Sequence, residues 1–325
     1  MSYDVLGIGN AIVDILAEVP DSFLHEHNLP KASMQLVDEN AAEKIYSAMP
    51  KSLKKSGGSA ANTIAGIASF GGKTAFIGKV RNDELGQIFA HDLKSLGVHY
   101  ETTFTTEGPS TANCLISVTP DAQRTMATYL GATLSISDAD IDQELIAKTK
   151  VTYIEGYLWD TPNAKNAIRK SIQTARANAR KVAFTLSDTF CVERHREEFL
   201  ELLKDGVDIL FANEAELLSL TQQNNFELAL QKMLGLCEVT AITRSANGSV
   251  ILTENRTITI AAQKNLSVID TTGAGDLYAA GFLYGYTQGK TLITCGEWGT
   301  IAASHIIQQL GARASLSLSS LIAAA

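Results

Sequence analysis

The chain has 325 residues, room for one large α/β domain or two smaller ones, and its 45% apolar and 19% charged composition is that of a folded globular protein, not a disordered one. Lys and Arg number 27 against 35 Asp and Glu, and the net charge of −8 argues against a general binder of nucleic-acid phosphates. Four cysteines with no C-x-x-C pair argue against a disulfide framework or a zinc site, and no run reaches the roughly 18 apolar residues of a membrane span.

At the N-terminus, "MSYDVLGIGNAIVDI" carries Asp4 where a secretory signal has positive charge, so a cytoplasmic protein is expected. "YDVLGIG" reads as a strand. "GIGNAI" then begins like a dinucleotide-binding G-x-G-x-x-G, but Ile12 stands at the third glycine and would obstruct close helix packing. If the chain is extended after Asn10, the even spacing places Asn10 and Asp14 on one face. The segments "ASMQLVDE", "YETTFTT" and "TANCLISVT" mix apolar with polar residues, as an antiparallel sheet with one wet face does, and predict a small lid at about residues 12–38 and 98–130. "GGKT" at 71–74 looks like the end of a P-loop, but the order is helix, turn, strand. A helix C-cap leading into "TAFIGKV" is the expectation.

Further on, "KVTYIEGYL", "KVAFTLS", "VDILFAN" and "EVTAITRS" read as strands, alternating with helical stretches such as 163–179 and 194–204. That alternation predicts βαβ units and a doubly wound, mostly parallel sheet covered on both faces. No repeat or low-complexity linker interrupts it, so residues 1–325 are expected to form a single α/β domain with its lid. In "VIDTTGAGDLYAAGF", Gly273, Ala274 and Gly275 let the backbone pass close to a ligand at the start of a buried helix, where unpaired N–H groups favour an anion. Asp276 then either accepts a proton from an attacking hydroxyl or merely faces the first-turn N–H groups. By themselves, Asn213 and Glu216 read as a helix cap with Glu at N3, Asn247-Gly248 as a hairpin turn, and His305 as a histidine on an apolar helix.

"DTTGAGD" resembles the D-T-x-G-A-G-D signature of the ribokinase-like PfkB carbohydrate kinases, which phosphorylate sugars and nucleosides with ATP. "SGGSAANTIAGIASFGG" at 56–72 and the N-x-x-E of Asn213 to Glu216 are similar to two further motifs of that family, in the same order. The resemblance implies Asp276 as general base, with the amides of Gly273, Ala274 and Gly275 as the anion hole. It also implies Asn213 and Glu216 near the phosphates, with Glu216 reaching Mg²⁺ through water, and Thr243 and Gly248 on the nucleotide. Asp270 and Thr272 match positions that in many relatives lie near a monovalent cation, which makes K⁺ compatible with the sequence.

"GIGNAIVDI" is similar to the adenosine kinase pattern G-x-G-N-x-x-x-D, which implies a ribose site of Asn10, Asp14, Gly57, Gly58 and Asn62. "DAQRTMATYLGA" implies Arg124 reaching from the lid to the transferring phosphate, and "AASHIIQQLGA" implies 302–305, with His305, near the ATP base. Where adenosine kinases carry an N-L-S-A-P-F-like segment, this chain reads "TLSDTF"; Phe190 and either Tyr157 or Trp159 are the candidates to sandwich a purine. The expectation is therefore an adenosine kinase of purine salvage, monomeric or homodimeric, with ATP as co-substrate and no nucleic-acid or membrane partner. A PfkB sugar kinase is the alternative, and a silent nucleoside-binding sensor is a third reading that retention of Asp276 opposes.

Overall fold

A computed structural model describes residues 2–121, 123–314 and 316–323. Its strands are β1 (Tyr3–Ile8), β2 (Ile12–Glu18), β3 (Met34–Leu36), β4 (Leu53–Ser56), β5 (Thr74–Ile77), β6 (Ala112–Val118), β7 (Arg124–Tyr129), β8 (Thr149–Glu155), β9 (Lys181–Thr185), β10 (Ile209–Asn213), β11 (Val239–Thr243), β12 (Ser249–Thr253) and β13 (Arg256–Ile260). Eight of them form one sheet in the order β13-β12-β11-β10-β9-β8-β1-β5. It is parallel from β5 to β11 and closes with the antiparallel β11–β12–β13 edge.

Period-2 alternation explains why this sheet is covered on both sides. Val5, Val151, Tyr153, Ala183, Ile209 and Phe211 point into one core, with the helices Ser59–Ser69, Ala274–Thr287 and Leu292–Ile306. Their neighbours Leu6, Ile8, Ile154, Val182, Phe184 and Leu210 point into the other, with the helices Pro162–Ala177 and Thr189–Gly206. The first of these two helices, expected at 163–179, begins one residue earlier, with Thr161 capping and Pro162 at its first turn.

The second sheet runs β3-β7-β6-β2-β4. It is mixed: β2–β6 and β3–β7 are parallel, while β2–β4 and β6–β7 are antiparallel. It takes in β4, whose "LKKS" carries no apolar alternation, whereas 98–111 runs beside the main sheet through the bridges Ala75–His99 and Arg81–Thr105. One face of this sheet, with Val13, Ile15, Leu115 and Ala127, joins the main core. The register aligns Asp14 with Cys114 and Cys114 with Thr128 on the opposite face, and Arg124 lies four residues before Thr128 on the same face.

The helices Ala274–Thr287 and Leu292–Ile306 touch backbone to backbone at glycine. A Cβ on Gly281 would stand 2.7 Å from the Gly299 nitrogen and overlap the Trp298 carbonyl. Neither atom can yield without separating the two helices, so Gly281→Ala should lower unfolding stability by about 1 to 3 kcal/mol, the usual cost of overpacking, as chemical denaturation of the purified variant would measure.

Candidate active site

The C-terminal ends of the parallel strands, where open α/β sheets bind ligands, converge on the start of the helix Ala274–Thr287. Gly273 precedes it with φ +79°, and a Cβ there would lie 2.7 Å from the Ala312 Cβ, so the turn needs glycine for its backbone and for its neighbour. A Cβ on Gly275 would meet nothing within 4 Å, and this residue faces open space. The Ala274 N–H is drawn back to the Thr271 carbonyl at 3.2 Å. Those of Gly273 and Gly275 have no partner among the described residues.

Two cavities meet at this helix start. One, of about 370 Å³, is lined mainly by apolar groups including Ala262, Leu266, Val268, Ala303 and Ile307. The other, of about 420 Å³, is polar and includes Ser59, Asn213, Glu216, Gly273 and Asp276. Thr243, Ser245, Thr271, Ala274, Gly275 and Tyr278 line both. Gly248, with φ +80°, turns the β11–β12 hairpin at the rim of the apolar cavity, and a Cβ there would overlap the Ile260 carbonyl. A purine and a phosphate chain differ in the same way as these two chambers.

Asp276 accepts from Ser59 Oγ at 2.7 Å and from Asn62 Nδ2 at 3.0 Å. Burial pushes its carboxyl up to about 6, while the two donors and the Arg313 charge act against that rise. Asp14, half-buried on the lid face, makes no hydrogen bond to the described residues. Its carboxyl is also raised to about 6 by burial, opposed by Arg313, and raised further by the charge of Asp276. A Cβ on Gly57 would overlap the Asp14 carboxylate, so glycine keeps its space open. Gly58, with φ +90°, lies against the Asn10 carbonyl.

Asn10 occupies the crossing from β1 to β2, not the strand. Its Oδ1 accepts from Thr133 at 2.8 Å, and its N–H donates to Glu155 at 2.7 Å. Glu155, fully buried, also accepts from the Ala60 N–H at 2.7 Å, and burial raises its carboxyl to about 7. Sequence reading missed it, although a lone carboxylate ending the apolar strand "KVTYIE" is the kind of buried charge that demands donors. Arg313 was missed as well, because the small residues around it show no pattern.

Asn213 and Glu216 form a reciprocal capping box. Asn213 Oδ1 accepts from the Glu216 N–H at 2.8 Å, and the Asn213 N–H donates to Glu216 at 3.0 Å. Both still line the polar chamber, and burial raises the Glu216 carboxyl to about 7. Arg124 crosses from the lid to an ion pair with Asp270 at 2.7 Å and a hydrogen bond to Thr272 at 3.1 Å; its Nη2 is buried without a partner among the described residues. Asp270 also accepts from Thr272 and from the Gly311 N–H. Thus the Arg124 guanidinium stands at Asp270 and Thr272, the two positions that the sequence offered for a monovalent cation.

The aromatic candidates separate. Trp159 is core, its Nε1 donating to Glu198 at 2.9 Å. Tyr157 lines the polar chamber, and its hydroxyl donates to Asp188 at 3.0 Å; Asp188, the new residue of "TLSDTF", also caps the following helix through Cys191 N at 2.6 Å. Phe190 is 54% exposed, with the Arg194 guanidinium 4.2 Å from its ring centre. His305 is not among the residues lining the apolar cavity, whereas its neighbours Ala303 and Ser304 are. Another trough, of about 1160 Å³, lies at the opposite ends of the strands, where Lys181 pairs with Asp208 and Glu238.

Residues 34–318 match the profile described as pfkB family carbohydrate kinase. A probable sugar kinase from Rhizobium etli superposes with a TM-score of 0.92 at 49% identity, covering 98% of each chain. The adenosine kinase from Sinorhizobium meliloti does so with a TM-score of 0.92 at 48% identity, again over 98% of each chain. A 5-dehydro-2-deoxygluconokinase of Geobacillus thermodenitrificans is 27% identical over 285 residues, 83% of this chain and 84% of its own. PfkB enzymes phosphorylate hydroxyl groups of sugars or nucleosides, and the mixed α/β architecture is that of these ribokinase-like neighbours. By sequence match and by fold, the chain is a kinase of the PfkB carbohydrate kinase family.

Proposed function

We propose that the chain transfers the γ-phosphoryl group of ATP to the 5′-hydroxyl of adenosine. The observation that carries this reading is the Asp14 carboxylate, open on the lid face beside Asp276, with Gly57 leaving it room and no donor among the described residues satisfying it. A vicinal diol supplies two O–H donors to such a carboxylate. The 48% identity with the Sinorhizobium meliloti adenosine kinase supports the same acceptor. A sugar acceptor is the second reading, favoured by the 27% identity with a 5-dehydro-2-deoxygluconokinase.

In this reading the ATP base enters the apolar cavity, with Thr243, Gly248, Ala303 and Ser304 around it and His305 outside its lining, and the phosphates enter the polar chamber. The amides of Gly273, Ala274 and Gly275 hold the transferring group. Asp276 takes the proton of the acceptor hydroxyl, and Arg124 covers the phosphate from the lid. Asn10, Gly58 and Asn62 shape the ribose side, and Tyr157 and Phe190 the base side. Both Glu216 oxygens already accept from Asn213, so Glu216 and Asn213 fit Mg²⁺ through water and not as direct ligands. That ion, bound with ATP, would neutralise phosphate charge. The activity belongs to the cytoplasm and to purine salvage.

Coupled ADP release with adenosine, inosine, ribose, fructose and 5-dehydro-2-deoxygluconate should give adenosine the highest kcat/KM. A sugar preferred by more than about tenfold, roughly 1.4 kcal/mol, would overturn the acceptor while leaving the kinase intact. Asp14→Ala should weaken adenosine binding by about 2 to 4 kcal/mol and leave ATP affinity unchanged in calorimetry.

Asp276→Asn keeps the shape and loses the base, so kcat should fall about 10²- to 10⁴-fold at unchanged ATP affinity. Asn also caps helices well, so a role limited to the helix start would leave kcat near wild type. The raised carboxyls also set the pH profile. A base acts only when ionised, and burial lifts both Asp276 and Asp14 to about 6. Activity should therefore hold above that pH and fall as pH drops through it, with the limb belonging to the pair because the two charges repel. An activity maintained unchanged to about pH 4, where an ordinary carboxylate titrates, would remove the base with a raised pKa.

A further inference from the structure

Arg313 lies beyond the helix Leu292–Ile306, in the segment that also places Ala312 against Gly273. Its Nε donates to Asn62 Oδ1 at 3.1 Å. The other end of the same amide, Asn62 Nδ2, donates to Asp276 Oδ2 at 3.0 Å. A guanidinium can only donate, so the amide oxygen must face Arg313 and the NH₂ group must face Asp276. Without that constraint the amide can turn over and aim oxygen lone pairs at the carboxylate. Asn62 is only 6% exposed, so water has little access to correct such a flip.

No carboxylate forms an ion pair with Arg313 among the described residues, and its Nη2 is buried with no partner among them. A guanidinium in that state is costly to bury. Three carboxylates nevertheless act on it, those of Asp14 from β2, Asp92 from the helix Glu84–Ser95 and Asp276. Burial lowers the Arg313 pKa to about 10, still far above neutral, so the cation persists. The groups around Asp276 are otherwise neutral or acidic: Ser59 and Asn62 from one helix, Asp14 from the lid, Tyr153 and Glu155 from β8, Tyr157 after it, and Glu216 across the polar chamber. Arg313 supplies the positive charge in that set, and Arg124 adds its own to Asp14.

We propose that Arg313 is a positioning residue of phosphoryl transfer: it locks the Asn62 amide with its NH₂ toward Asp276 and sets a permanent cation between Asp276 and Asp14. The inference rests on Asp276 being the base, and its test separates the two ideas. In the ligand-free full-length protein, the Asn62 side-chain amide resonances follow the ionisation of Asp276 and need no substrate. Arg313→Met removes both charge and donor, whereas Arg313→Gln removes the charge and keeps a donor for Asn62.

In both variants the midpoint of that titration should rise by about one pH unit. The acid limb of kcat/KM should move with it, and kcat at neutral pH should fall about tenfold in Arg313→Met and less in Arg313→Gln, with the KM for ATP unchanged. A merely structural arginine would lower the melting temperature without moving either midpoint. A folded variant of either kind with the wild-type midpoint and kcat would overturn the proposal. If Arg313→Met does not fold, Arg313→Gln decides by the same two readings. A raised midpoint in a protein whose wild type phosphorylates no acceptor would leave Arg313 in its place and remove the kinase reading of Asp276.

Discussion

Glu155 is a carboxylate with no exposure to solvent, and the site is arranged around the two backbone N–H groups that satisfy it. One comes from Asn10, where the chain leaves the main sheet for the lid. The other comes from Ala60, in the first turn of the helix that carries Ser59 and Asn62. A buried charge without donors would be prohibitive, so the end of β8, the crossing to the lid and the start of that helix are fixed together. Gly9 permits the approach, since a Cβ there would stand 2.6 Å from both the Ala60 Cβ and a Glu155 oxygen. Once these three stretches of chain are pinned, Ser59 and Asn62 reach Asp276, and Asp14 is carried to the same place from the other sheet.

Charge dominates the site held in that frame. Asp14, Glu155, Glu216 and Asp276 are four carboxyls that burial raises, and the cations that oppose the rise at Asp14 and Asp276 arrive from the periphery of the fold. Arg124 comes from the lid and Arg313 from the C-terminal segment, and each keeps a buried nitrogen without a partner among the described residues. Unmet donors beside a polar chamber favour an anion. Two side chains thus bring positive charge into an acidic neighbourhood of a chain whose net charge is −8.

The lid links this chemistry to the fold. Its sheet buries one face in the main core, through Val13, Ile15, Leu115 and Ala127, and turns Asp14 and Arg124 the other way. Alternation in β2 alone explains why a residue two positions from Asp14 in either direction faces the same side. The ion pair of Arg124 with Asp270 brings the lid down onto the loop before the Gly273 turn. Water exclusion at a phosphoryl site is the physical advantage of such a cover.

The sequence by itself determined the elements whose signals are local. Alternating apolar strands and capped helices specified a mostly parallel sheet, because period and capping depend on neighbours within a few residues. Gly273 to Asp276 stood out for the same reason, as did the N-x-x-E box and the glycine after the helix Ser59–Ser69, where Gly71 takes φ +95°. Tertiary structure decided what depends on distant partners. Glu155 and Arg313 act through Asn10, Ala60 and Asn62, at separations of 145, 95 and 251 residues, which no local pattern encodes. Strand β4 joined the lid by pairing and not by its own periodicity, and Trp159 entered the core while Tyr157, two residues earlier, reached the chamber. Asp270 illustrates the division most simply: local sequence marked it as an acidic residue just before the glycine turn, and the fold brought it an arginine from the other sheet, because electrostatic attraction acts between whatever charges folding places within reach.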